Sequence, residues 1–488
     1  MTRFLAPAAI GLSVFVSILT MAALAVRSGL IADDAVMLWA GAITAGGGGM
    51  PVGLIVAAYP TIPFLASTLV EFMAPAGTPA PALLAAGIGG ILAGTWYLSL
   101  RTAGLPLLAA VVATVLLIFH PALLRAAVAG PSEILLVVFL YLLGHALYDL
   151  RARSGVSEVM AAGIALVGLA FSHPMGAAIA CASVPFLIFA VRPALAVNSA
   201  LNVVLTLVFP TVFAAAAFAY CSWVFPGSGW SFLIAPAEGI STWTASFRRG
   251  IGGAMTGATA IDAGIAAAIA LVLGAPFAVI AMIRIVRRRP LVVPALVLCA
   301  TTVAATVLAV ATGVFGDPVA VTCVPPVLAA IVIMRVPDIR ARLEVVLPLL
   351  AIGWLGGAAA LVIVDPRTID DVGVVLTRAS LDPARTDALD LGGAIVAREG
   401  VLVDSVNAPA VVVGRGRAAG LITPPDEDFG LAILTATIGT PFVAVPDPQS
   451  NVGAQDRLNK AFPLLYQRGP LGYRLVYHNT NWRLFGRI

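Results

Sequence analysis

The chain has 488 residues, 60% of them apolar and only 11% charged, with a mean hydropathy of +1.02. Soluble chains run at about 45–50% apolar and about 25% charged, so a water-soluble enzyme of this size is excluded: it has nowhere to bury that much apolar surface. The net charge of +4 rests on arginine, with Lys460 the single lysine, and no dense basic block with interleaved aromatics supports nucleic-acid binding. Cys181, Cys221, Cys299 and Cys323 all lie inside apolar runs, the spacing of neither a disulfide framework nor a metal site.

Charge divides the chain in two. Residues 365–488 hold 12 basic and 13 acidic groups, whereas the 364 residues before them hold 27. The pattern predicts a membrane domain over 1–364 and a compact soluble domain over 365–488.

A bilayer core of about 30 Å takes roughly 20 apolar residues in a helix. About eleven such runs follow one another, near 5–27, 79–100, 104–120, 132–150, 157–173, 174–191, 196–224, 262–284, 290–314, 318–335 and 344–364. Only Ser172, His173 and Pro174 separate the fifth from the sixth. The first run is longer than the usual apolar core of a secretory signal, about 7–15 residues, and so reads as a span. Arg3, Arg101, Arg151, Arg153, Arg192, the cluster Arg284, Arg287, Arg288 and Arg289, then Arg335, Arg340 and Arg342 fall on alternate loops. The positive-inside rule makes that side cytoplasmic, against a minority formed by Arg27 and Arg125. With eleven spans the N-terminus is inside and the tail from Asp365 outside.

The first outer loop, about 28–78, opens on Asp33-Asp34 and continues through Trp39 and Gly46–Gly49 to Tyr59-Pro60-Thr61-Ile62-Pro63. Residues 35–45 and 64–73 read as short helices along the membrane interface. Two carboxylates at a membrane surface serve as a general base or hold a divalent cation; equally, they cap the helix that starts at Ala35. Further along, Glu133 follows Gly130-Pro131-Ser132 at the outer end of a span, where an acid favours a helix N-terminus without further purpose. His173, also at an outer end, either binds phosphate or acceptor or is simply solvated. His120-Pro121 and Asp317-Pro318 are turn signals at span ends, and His145 and Asp149 lie towards the inner side.

The tail alternates helix and strand signals. Val401–Ser405, Val411–Gly414 and Pro441–Val445 read as strands. Asp426 caps an expected helix through about Ile438, and a second covers Ala454–Tyr466. Tyr473–His478 and Trp482–Phe485, joined by Asn479-Thr480-Asn481, read as a closing hairpin. The expected product is a small α/β domain without a Gly-rich phosphate loop or paired His or Cys. The expected fold class is thus an α-helical polytopic membrane protein of about eleven transmembrane helices with a C-terminal soluble α/β domain on the outer side.

The acidic pair after the first span, the long outer loop and the Tyr59-Pro60-Thr61-Ile62-Pro63 stretch resemble the GT-C superfamily of membrane glycosyltransferases, which includes protein mannosyltransferases and lipid A aminoarabinose transferases. This chain has Pro60-Thr61 where that family more usually has Pro-Pro. The resemblance covers roughly residues 1–200 in layout and topology alone beyond them. It implies a sugar donor on a polyprenyl phosphate and an acceptor that is a lipid, a glycan or a protein. Asp33 or Asp34, slightly favouring Asp33, would take or orient the acceptor hydroxyl for a single inverting displacement, with Mg or Mn as a possible cation. Glu133 would assist, and Tyr59 and Trp39 would line the substrate cavity. The leaving lipid phosphate calls for a cation facing outward, and Arg248-Arg249, in the loop 225–261, are the candidates, with His173 beside them; they equally suit ordinary lipid headgroups or Glu238. The location implied is a bacterial inner membrane, with the N-terminus cytoplasmic and the tail periplasmic. The rival classes are a transporter or flippase of lipid-linked saccharides, and an outward-facing polymerase or ligase.

Overall fold

The structure, a computed structural model, describes residues 2–27, 33–47, 50–75, 77–153, 155–225, 260–285, 289–312, 318–335, 343–364 and 383–488. The helices of the first part are α1 (Thr2–Arg27), α2 (Asp33–Gly46), α3 (Val52–Val56), α4 (Thr61–Met73), α5 (Ala80–Thr102), α6 (Leu107–Ile118), α7 (Pro121–Ala129), α8 (Pro131–Ala152), α9 (Val156–Ser172), α10 (Pro174–Ala190) and α11 (Pro193–Val224). They continue as α12 (Ala260–Gly274), α13 (Pro276–Ile285), α14 (Arg289–Thr312), α15 (Val324–Arg335) and α16 (Leu343–Val364).

Each apolar run of the sequence carries helix among its described residues. Among the described residues six helices are long and apolar enough to cross a membrane, and up to eight spans result if each of two bent pairs counts as one. This is an α-helical membrane protein. The other three runs hold the shorter apolar helices Val156–Ser172, Pro174–Ala190 and Val319–Arg335. The bends have a sequence cause. Between α6 and α7 the axis turns by 57°, and between α12 and α13 by 89°; in each case the second segment opens on proline, Pro121 or Pro276, which has no N–H to continue the ladder.

By its contacts the chain forms two compact units. The first comprises Met1–Met21, Tyr59–Ile62 and Ala85–Val372; the second comprises Ala22–Ala58, Pro63–Leu84 and Gly373–Ile488.

In the first unit helices approach closely through small residues, as expected where lipid supplies no hydrophobic drive between helices. A Cβ on Gly11 would lie 2.8 Å from the Gly90 carbonyl oxygen, and one on Gly90 would lie 2.7 Å from that of Gly11, so α1 and α5 touch backbone to backbone. Arginines bond carbonyls near helix ends: Arg101 donates to the Leu105 carbonyl just past α5 at 2.5 Å, and Arg151 to those of Phe189 in the last turn of α10 and Val191 after it.

The second unit is built on a five-stranded sheet of order β2-β1-β3-β5-β4, with β1 Val401–Leu402, β2 Leu421–Ile422, β3 Phe442–Pro446, β4 Tyr473–His478 and β5 Trp482–Arg487. β1 pairs in parallel with β2 and β3; the β4–β5 hairpin adds antiparallel strands on the far side of β3. Its helices are α17 (Pro383–Ala394), α18 (Pro409–Arg415), α19 (Glu427–Thr435), α20 (Asn451–Gln455), α21 (Arg457–Ala461) and α22 (Leu465–Arg468).

Two local expectations are corrected here. The valine run expected as a strand at 411–414 is helix α18: Pro409 starts it, Gly416 at φ 69° stops it, and complete burial of Val411 and Val412 outweighs their β preference. The helix expected over 454–466 is three short ones, because the Ser450 and Asp456 side chains accept from Gly453 N and Asn459 N and restart the chain at each cap.

Helix α2 belongs to this second core. Its stripe Ala35, Val36, Trp39, Ala40 and Ile43 is buried in one apolar cluster with Leu391, Val411, Val412, Trp482 and Leu484. The loop segment that reads as interfacial from sequence thus packs with the C-terminal sheet.

Candidate functional site

Burying that stripe leaves the first turn of α2 at the surface of the second unit, with Asp33 and Asp34 both exposed. Two carboxylates there favour the positive end of the helix. Arg385, in the first turn of α17, donates from Nη2 to Asp33 Oδ1 across a sequence separation of 352. The guanidinium side chain is 17% exposed and the carboxylate side chain 82%. A sheltered cation therefore holds one oxygen of an open carboxylate in place. Asp34, its neighbour, also interacts within the fold.

Trp39, assigned from sequence to the substrate cavity, is buried in the second core. Its indole nitrogen lies beside Glu71 of α4. Burial pushes the Glu71 carboxyl up from its ordinary range, and the indole opposes that in part. Neither Trp39 Nε1 nor Glu71 Oε2 completes a hydrogen bond. Glu71 escaped the sequence reading, although an acid in an apolar loop helix was a signal.

The other expected residues lie in the first unit. Glu133, in the first turn of α8, accepts from Arg125 Nη1 of α7 at 2.9 Å, the two side chains 14% and 16% exposed. Arg125 is one of the two arginines that stood against the charge bias in the sequence; taken with Glu133 eight positions on, it was legible as an ion pair. His173 is buried and caps α10: Nδ1 accepts from Met175 N at 3.0 Å, while Pro174 supplies an N1 residue without an N–H. Tyr59, at the cis Tyr59–Pro60 bond, donates its hydroxyl to the Ala170 carbonyl at 3.0 Å and meets Phe218 at 5.9 Å between ring centroids. That fixes it at the end of α9 that runs into His173. Arg248 and Arg249, with Glu238 and Asp317, lie outside the described residues. The structure thus brings Asp33, Asp34 and Trp39 into one unit, and Tyr59, Glu133 and His173 into the other.

Compared with known proteins, the chain matches no family model and no curated sequence.

A hard divalent cation takes about six oxygen ligands. Asp33 and Asp34 supply two carboxylates, and Arg385 already occupies the first. No group of three or more His, Cys, Asp or Glu able to hold a metal occurs among the described residues. Asp33 and Asp34 would hold a Mg or Mn ion only with water and substrate phosphate completing its shell, and Arg385 competes for Asp33.

Two further polar clusters belong to the first unit. Arg335, ending α15, forks onto Asp149 at 2.8 and 2.6 Å and donates from Nε to His145 Nδ1 at 2.8 Å. His120 sits at the α6–α7 break, where Nδ1 accepts from Ala122 N at 3.3 Å. Its Nε2 is buried without a hydrogen-bond partner, beside a cavity of about 10 Å³ also lined by Gly274, Ala275, Pro276 and Gly353. Both helix breaks therefore meet at His120.

Proposed function

We propose that the chain is an integral membrane glycosyltransferase of the GT-C type, moving a sugar from a polyprenyl phosphate to a lipid, glycan or protein acceptor at the outer face. The observation that carries this reading is the exposed Asp33-Asp34 pair in the first turn of the helix after the first span, with Arg385 of the tail fastened to Asp33. In this reading each of the eleven runs crosses the membrane, the N-terminus is cytoplasmic, and the sheet unit is a soluble α/β domain on the outer side.

The acceptor hydroxyl attacks the anomeric carbon as its proton passes to Asp33, with Asp34 beside it. The new carbon–oxygen bond forms as the bond to the lipid phosphate breaks, the polyprenyl phosphate leaves with that electron pair, and the anomeric centre inverts. Arg385 positions the base carboxylate. Arg248 and Arg249 are the candidates for the departing phosphate, which needs charge stabilisation as it forms.

The test pairs binding with turnover. Native mass spectrometry of the gently purified protein is expected to find a bound polyprenyl phosphate, free or sugar-loaded, in the wild type and in Asp33→Asn. Transfer is expected to fall by about 10²–10⁴ in Asp33→Asn, the usual contribution of a general base. Unchanged transfer in both Asp33→Asn and Asp34→Asn would refute this assignment and favour the polymerase or ligase reading.

The transporter reading has one observation behind it, the two broken helices that meet at a buried histidine. Transporters build sites from such breaks and from ionisable groups inside the membrane. Loss of lipid-linked saccharide movement in His120→Gln, with Asp33→Asn unaffected, would select it.

A further inference from the structure

Asp404 follows β1, and Asp456 forms the corner between α20 and α21. Both are almost fully buried, at 0% and 1% exposure. In the order β2-β1-β3, strand β1 feeds β2 on one side while β3 lies on the other, so Asp404 leaves the carboxyl end of β1 where the connections diverge. Each carboxylate has one satisfied oxygen. Asp404 Oδ2 accepts from Asn407 Nδ2 at 2.7 Å and from the Arg457 backbone N–H at 3.0 Å. Asp456 Oδ1 accepts from the Asn459 N–H at 2.8 Å. The remaining oxygens, Asp404 Oδ1 and Asp456 Oδ2, are buried without hydrogen-bond partners.

Two buried acceptors left bare are expensive, and two adjacent buried carboxylates cannot both ionise cheaply. The Asp404 carboxylate is seated against the backbone that carries Asp456, because its Oδ2 takes the N–H of the very next residue and Asn407 also reaches the Gln455 carbonyl at 3.3 Å. A single proton resolves both deficits: a protonated carboxyl donates to the other carboxylate, so one bond satisfies two orphaned oxygens.

We propose that Asp404 and Asp456 form a proton-binding site, one proton being shared between Asp404 Oδ1 and Asp456 Oδ2, and that it fastens the loop after β1 to the α20–α21 corner.

The electrostatics agree. Burial first, and then the Asp404 charge, push Asp456 up to about 7, against the Asn459 and Leu458 backbone N–H groups and Lys460, which act in the opposite direction. Arg457 faces the pair through its backbone N–H, and the nearby amides Asn407 and Asn459 do not titrate. The sign follows from linkage. The native state keeps a proton that the opened chain releases near 3.8, so the fastening is complete below that value and is lost as pH rises through about 7. The effect is independent of the glycosyltransferase reading.

The experiment is hydrogen exchange on the full-length protein in detergent micelles at pH 5 and pH 8, corrected for the intrinsic exchange rate. Segments 401–408 and 451–461 are the ones to follow. Their opening equilibrium is expected to rise about tenfold or more from the lower to the higher pH, while segments of β4 and β5 stay level. Asp456→Asn supplies a permanent donor to Asp404 Oδ1 and is expected to abolish the pH dependence. Asp404→Asn, donating the other way, is expected to do the same. Equal protection at both pH values in the wild type would overturn the assignment. So would persistence of the pH dependence in both variants. If protection instead followed added Ca²⁺ or a chelator at fixed pH, the pair would hold a metal cation and the shared proton would be refuted. The wild-type arms decide the matter even if neither variant folds.

Discussion

In the helical unit, serine and threonine hydroxyls mostly turn back on their own helix. Ser13 donates to the Ala9 carbonyl at 2.9 Å, Thr114 to Ala110 and Thr302 to Leu298, both at 2.7 Å, each four residues away. In the sheet unit, beside local turn and cap bonds, several cross the fold: Asn479 reaches the Asp387 carbonyl and Asn481 its carboxylate, over separations of 92 and 94 residues. A local bond satisfies a group wherever the helix sits, so it adds little to specifying how helices pack. A distant bond exists only in the native arrangement, so losing one loosens tertiary structure. The exceptions in the helical unit are therefore informative. Among them, Arg125–Glu133 and the Arg335 fork on Asp149 and His145 join separate helices, and the Tyr59 hydroxyl reaches the Ala170 carbonyl of α9.

That contrast can be tested by substitution. Trp482→Ala removes a side chain 2% exposed, at the start of β5 in the cluster that also holds α2, and is expected to cost about 3–5 kcal/mol. The measurement is the unfolding midpoint of the purified protein, with hydrogen exchange assigning the loss to α2 and the sheet. A smaller effect, about 1–3 kcal/mol, is expected for Asp387→Ala, because the amide and N–H of Asn481 lose their acceptor. Hydrogen exchange should then rise at the β4–β5 turn first. Thr114→Val, although buried, breaks only a bond to its own helix and is expected to shift stability by about 0.5 kcal/mol or less. If Thr114→Val destabilised as much as Asp387→Ala, the distinction between local and crossing bonds would fail.

The same contrast explains what could be read in advance. Helix in the apolar runs was legible because a run near membrane length leaves a chain little but helix, and His120-Pro121 was legible as a turn. The break at Pro276 was not, because proline also lies inside a continuous helix, as Pro210 does in α11. Helix α18 was not, because Val411, Val412 and Val413 carry a strand preference that only their buried position overrides. Nor was the docking of α2: Ala35, Trp39 and Ile43 make the same apolar stripe whether it meets lipid or protein. Among the candidate site residues, Asp33 and Asp34 stood out by their place after the first span. Arg385 gave no local signal, since it is one arginine among twelve basic residues in the tail and its partner lies 352 positions away. The acidic pair Asp404 and Asp456 was hidden for the same reason, as only the fold brings β1 against the α20–α21 corner.

The most direct test of the central claim is a double-mutant cycle on sugar release from a polyprenyl-phosphate donor, using wild type, Asp33→Asn, Arg385→Ala and the double variant in reconstituted membranes. If Arg385 acts by positioning the Asp33 carboxylate, Arg385→Ala lowers turnover with little change in donor binding, and adding it to Asp33→Asn costs almost nothing further. Unfolding midpoints should move little throughout, since the Asp33 side of the pair is open to solvent. Fully additive losses, or turnover unaffected by either substitution, would contradict it.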